Sequence, residues 1–256
     1  MKYLLLLVVT TLFIACNDKK DPDETPATYG KIELKFDHRW GHDHSGGTPS
    51  EDFVLNKNYV LQDSHDTVSF QKLKYYVSNV AFTNVSGGVH KVSNSYHLID
   101  ASTGTIASLV FDSVPSNEYV SVSFIIGVDS LKNVSGAQSG DLSPSKEMFW
   151  NWNTGYRFIT VEGKQIKAAG DTAFVYHIGG FSGDKNALQH KSAAFSNGIN
   201  ANPNATPSVH FNVNIAGLWS NNSSLATTKK VHMPGSMAVQ FSKNFRDAVE
   251  LDHTHN

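Results

Sequence analysis

Residues 124–163 read FIIGVDSLKNVSGAQSGDLSPSKEMFWNWNTGYRFITVEG. An apolar run from Val122 to Val128 leads into this stretch and has the look of a buried strand. A loop rich in Gly, Ser and Asn follows, and then Met148-Phe149-Trp150-Asn151-Trp152-Asn153-Thr154-Gly155-Tyr156 opens a second strand, Tyr156 to Val161. Two of the four Trp residues stand here two positions apart, a spacing that in extended chain turns both indoles to one side. Strand, loop, aromatic block, strand is a β pattern. The aromatic block reads either as a plug closing one end of a β-structure or as part of a site.

The same alternation extends outward. Gly30 to Trp40 places Ile32, Leu34, Phe36, His38 and Trp40 on one face and Lys31, Glu33, Lys35, Asp37 and Arg39 on the other. Ser69 to Phe82, Tyr96 to Asp100 and Thr172 to Ile178 read as further strands, and Gly87-Gly88 as a hairpin turn. Val209 to Ile215 alternates strictly, which points His210 outward and removes it from the ligand candidates. Residues 182–206 are polar and weakly periodic and read as a long surface loop. One short helix is expected over Val239 to Val249. The expected fold is all-β, an antiparallel β-sandwich with long loops and at most one or two short helices.

Composition narrows the chemistry. The 256 residues carry a formal net charge of −2, which gives no electrostatic basis for binding nucleic acid. Twelve His stand against one Cys, so a Cys-rich zinc site and an internal disulfide are both excluded. There is no Gly-x-Ser-x-Gly elbow, phosphate loop, Cys-x-x-Cys-His haem site or His-Glu-x-x-His pair. Imidazoles at strand ends are the positive signal. His38, His42 and His44 crowd the end of the first strand, His177 precedes Gly179-Gly180, His97 lies in a short strand, and His253 and His255 end the chain. Neutral imidazole suits Cu, Zn or Ni.

Residues 1–16 read as a lipoprotein signal peptide, with Phe13-Ile14-Ala15-Cys16 resembling a lipobox and Cys16 as the lipidated residue. Residues 17–29 read as a charged flexible tether, and 30–256 as the β domain. Asn17 after the Cys favours the outer membrane of a Gram-negative bacterium, facing the periplasm or the cell surface. The lipid would anchor the chain without spanning the bilayer.

Gly127-Val128-Asp129-Ser130, Asn133-x-Ser135-Gly136-Ala137-Gln138-x-Gly140-Asp141-Leu142-x-Pro144, Met148-Phe149-Trp150-x-Trp152-Asn153-x-Gly155-Tyr156-x-Phe158 and Val161-Glu162-Gly163 resemble the copper-binding MbnP-like family. Lys74 to Asn79, Tyr176-His177-Ile178-Gly179-Gly180 and the His-x-His ending resemble further family blocks, and the likeness runs from about Lys31 to the C-terminus. It implies an envelope lipoprotein that binds copper through a few imidazoles and is not an enzyme. The ligand candidates are His38, His177, His97, His255 and His253, with His42 and His44 as a looser second set. In some members an oxidised tryptophan joins the site, made by a di-haem partner of the cytochrome c peroxidase type. Trp150, Trp152 and Trp40 are the candidates here. The competing expectation is a surface carbohydrate- or protein-binding module that uses Trp150, Trp152 and Tyr156 as an exposed stacking platform without a metal.

Overall fold

The computed structural model describes residues 27–41, 50–62, 64–151, 154–221 and 223–256. The chain runs through β1 (Tyr29–Trp40), β2 (Glu51–Asp52), β3 (Asn58–Val60), β4 (Thr67–Asn84), β5 (Val89–Lys91), β6 (Tyr96–Asp100), β7 (Ile106–Pro115) and β8 (Asn117–Ile126). After a helical turn, α1 (Ser130–Val134), come β9 (Phe149–Asn151), β10 (Gly155–Ile166), β11 (Thr172–Gly179), β12 (Gln189–Ala201), β13 (Ser208–Asn214) and β14 (Lys230–Val231). The helix α2 (Ser236–Ala248) leads directly into β15 (Val249–His255).

The fold is mostly β, 53% strand with two helices, and forms two sheets in a sandwich-like arrangement. The smaller sheet has the order β15-β13-β1-β2, with β7 also on β1; the larger runs β12-β8-β4-β10-β11-β14. The sheets are mixed and not purely antiparallel, because β1 pairs with β13 and β11 with β14 in parallel. The expected β-sandwich is present, and these two parallel pairings depart from its antiparallel pattern for a topological reason. Strands so far apart in sequence are not joined by a hairpin, so no turn fixes their relative direction.

The core lies between the sheets. Phe36 from β1 meets Tyr75, Phe124 and Phe211 at centroid distances of 6.4, 5.7 and 5.4 Å. Helix α2 closes over the larger sheet with Phe241 stacked on Tyr176 and Phe245 edge-on to Tyr75. It starts before the expected Val239, and its buried face is Ala238, Phe241, Ser242, Asn244, Phe245 and Ala248. Residues 189–201 are a 13-residue strand on β8 and not surface loop. Their inward positions include Gln189, Ala193 and Ala201, too small or too polar to show as an apolar stripe.

The segment 128–150 packs on the far side of the larger sheet and builds a second, smaller core. Tyr76 meets Tyr156 edge-on at 5.9 Å, and Phe149 meets Tyr156 at 4.9 Å, with Met148 and Leu142 buried beside them. Asn133 locks this segment down. Its amide donates to the carbonyls of Val128 and Asp129 at 2.6 and 2.9 Å, and its Oδ1 accepts from Tyr156 N at 2.8 Å. The Tyr156 hydroxyl donates to the Leu142 carbonyl at 2.8 Å. Tyr156 is fully buried, so it forms no part of an exposed stacking platform.

Candidate metal centre

Two groups of histidines form on the outward faces of the sheets. The first lies on the larger sheet. Thr160 on β10 stands opposite His177 on β11. The parallel register of Val175 with Lys230 and Tyr176 with Val231 continues by one residue to set His232 beside His177. Their rings meet edge-on with centroids 5.1 Å apart. His177 Nε2 bonds Glu162 Oε1 at 2.9 Å. A carboxylate accepts only, so this bond puts the ring proton on Nε2 and leaves the Nδ1 lone pair free for a metal. Burial pushes both imidazoles below the ordinary His range; Glu162 opposes this at His177, and Arg157 adds to it at both rings. They are therefore neutral, the form that ligates.

Six buried side-chain polar atoms lack a partner among the described residues, and three of them lie in this region: His232 Nε2, Thr160 Oγ1 and Arg157 Nε. Buried polar groups are normally paired, so such a concentration marks a place built for something else. Trp150 closes the side. Its indole lies so near Gly179 that a Cβ there would stand 2.7 Å from Cζ3, and the Arg157 guanidinium lies 5.9 Å from its ring centre. The glycine after Ile178 is what lets the indole lie against the strand.

The second group is on the smaller sheet, where His210, His253 and His255 bring one ring nitrogen each to within 4.8 Å of one another. Among the described residues no other three His, Cys, Asp or Glu side chains converge so closely. A β-bulge makes this possible. Val249 and Leu251 pair with the inward-facing Val213 and Phe211, so a regular strand would carry His253 and His255 inward too. Instead Asp252 is inserted, and the register moves so that His253 opposes His210 and His255 opposes Ser208. One extra residue flips the remaining side chains to the outer face.

Comparison with known proteins finds the MbnP family matching residues 29–237. The chain belongs to the MbnP family. Among solved structures, MbnP from Methylosinus trichosporium is similar over 82% of this chain and 87% of that one, at 16% identity and a TM-score of 0.48. No curated protein matches the sequence.

Among the described residues of this MbnP-family chain, the expected ligands His38, His97, His177 and the pair of His253 and His255 fall in separate places. His38 faces the core between the sheets, with 1% exposure, and shares a 3.1 Å hydrogen bond with the Tyr75 hydroxyl. His177 faces away from that core, so the larger sheet stands between the two. Burial holds His38 down at about 4, and its Nδ1 has no partner. It borders a cavity of about 270 Å³ that is also lined by Asp37, Arg39, Asp52 and Asp252. His97 packs edge-on against Phe111 at 5.3 Å, and its buried Nε2 has no partner among the described residues. Trp40 is a core aromatic, 4.7 Å from Tyr59 and 5.7 Å from Phe70. His42, His44, Trp152 and Cys16 lie outside the described residues.

Two residues absent from the expected ligand set take places in these groups. His210 does face outward, but the bulge brings the two terminal histidines to the same face. His232 follows a two-residue strand, too short for periodicity to register. Its signal is the sequence Val231-His232-Met233-Pro234, an imidazole two residues before a proline.

Proposed function

We propose that this MbnP-family protein binds copper at His177 and His232, beside Trp150, and works in copper capture or handling and not as an enzyme. Family membership supports the copper reading. The unpartnered, buried Nε2 of His232 next to His177 carries the choice of site. Two neutral imidazoles in a partly desolvated pocket suit Cu(I), which is stable with few ligands. Bound copper would supply a soft, redox-active cation. Glu162 orients the His177 ring, and Arg157 and the aromatic segment limit access by water. Trp150 is the indole we assign to oxidative modification, carried out by a di-haem cytochrome c peroxidase-like partner at the expense of a peroxide-class oxidant. A lipid on Cys16 would hold the protein at the outer membrane.

Cu(I) titration tests this at pH 7. His177→Ala and His232→Ala should each weaken binding by about 100-fold or more, since loss of an orienting partner alone costs roughly 10–100-fold. Unchanged affinity in both variants would remove the site. Protonation competes with the metal, and burial lowers both imidazoles. Binding should therefore persist below the ordinary His midpoint of about pH 6.5 and fail only at lower pH. A loss that begins above pH 6.5 would contradict the buried setting.

A further inference from the structure

We infer that His210, His253 and His255 form a second metal site, separate from the copper site, for a borderline divalent ion of the Zn²⁺ class. This inference does not rest on the proposed copper function. Two of its three ligands lie beyond the family match, which ends at residue 237.

The geometry is close to that of a bound site. His253 Nε2 and His255 Nε2 stand 2.9 Å apart. Two nitrogens on a tetrahedral Zn²⁺, each 2.0–2.1 Å from it, would stand roughly 3.3 Å apart. A few tenths of an ångström of opening would admit the ion. The His210 ring stacks on His253 at 4.4 Å and meets His255 edge-on at 5.2 Å, which completes a three-sided cradle. Three His ligands with a fourth position open to water is a common zinc arrangement. One ring is held by a carboxylate, His253 Nδ1 lying 2.8 Å from Asp252 Oδ2, while His210 Nε2 shares a 3.1 Å hydrogen bond with the Ser208 hydroxyl and its Nδ1 lies 3.7 Å from Asp37 Oδ2. Carboxylates behind ligating imidazoles fix the tautomer and raise ligand basicity. Asp252 thus has two roles, as the bulge residue that turns the histidines outward and as the group that orients His253.

The access differs from that of the copper site. The side chain of His253 is 46% exposed, so a hydrated divalent ion can reach the cradle without opening the fold. The smaller sheet carries the cradle on its outer face, whereas His177 and His232 lie on the outer face of the larger sheet.

Co²⁺ absorption of the full-length protein, prepared without a polyhistidine tag, is the test. One equivalent should give the intense visible bands of tetrahedral Co²⁺, displaced by one equivalent of Zn²⁺. His253→Asn with His255→Asn should abolish them, and His210→Asn should abolish them alone. Asp252→Asn should retain a tetrahedral spectrum with affinity lowered by about 10–100-fold. A His177→Ala, His232→Ala variant should keep the full signal, which separates this site from the copper site. Thermal melts of each variant confirm that it is folded. Tetrahedral bands that survive in folded His210→Asn, or their absence in the unaltered protein, would overturn the inference.

Discussion

Gly155→Ala is expected to destabilise the protein by about 3–4 kcal/mol. Gly155 has φ +69°, in the region that L side chains rarely adopt, and its Cβ would stand 2.0 Å from Asn133 Oδ1. Backbone strain contributes about 1–3 kcal/mol. Displacing Asn133 adds the cost of orphaning a buried donor, about 1–3 kcal/mol, because Tyr156 N has Asn133 Oδ1 as its acceptor. The consequence extends to the metal centre. Trp150 lies against Gly179 at the end of the His177 strand, and Asn133 anchors the neighbouring Tyr156. Chemical denaturation should give the stability loss, and copper affinity should fall with it. A variant as stable as the parent would mean that the Asn133 anchor does not hold this segment.

Acidification from pH 7 to pH 4 should remove about 3 kcal/mol of stability through His38 alone. Burial lowers this imidazole from its ordinary 6.5 to about 4 in the folded protein. Between those values the unfolded chain binds a proton that the folded chain refuses. Unfolding is therefore favoured as pH falls, and stability rises with pH across the same interval. Above 6.5 both states are neutral and the contribution is flat. His38→Gln keeps a polar partner for Tyr75 but cannot titrate. Its denaturation midpoint should be lower at pH 7 and much less dependent on pH between 6.5 and 4. An unaltered pH slope in that variant would show that acid sensitivity arises elsewhere.

Much of the sandwich was legible because alternation is a strong signal where one face is apolar. β1 and β13 follow it residue by residue, and both place their inward side chains as expected. β12 was hidden because Gln189, Ala193 and Ala201 take inward positions beside Phe195 and Ile199, and the register shifts between Ala194 and Ile199, which blurs the apolar stripe. The parallel pairing of β1 with β13 joins residues about 175 apart, such as Phe36 with Phe211, and nothing local encodes it. The sites were less legible still. His177 stood out as a strand-end imidazole beside paired glycines. Its neighbour His232 depends on the pairing of a two-residue strand, which is a tertiary fact. His253 and His255 were visible as a pair, but the face they occupy is set by the one-residue bulge at Asp252. Period-2 reasoning is least able to anticipate that feature, because a single insertion inverts its answer.

The copper site itself is open to one direct measurement. Crystals grown with one equivalent of Cu(I), examined by anomalous scattering at the copper edge, should show a single peak between His177 and His232, roughly 2 Å from a nitrogen of each ring. A peak confined to the His210, His253 and His255 cradle, or beside His38, with none at His177, would contradict it.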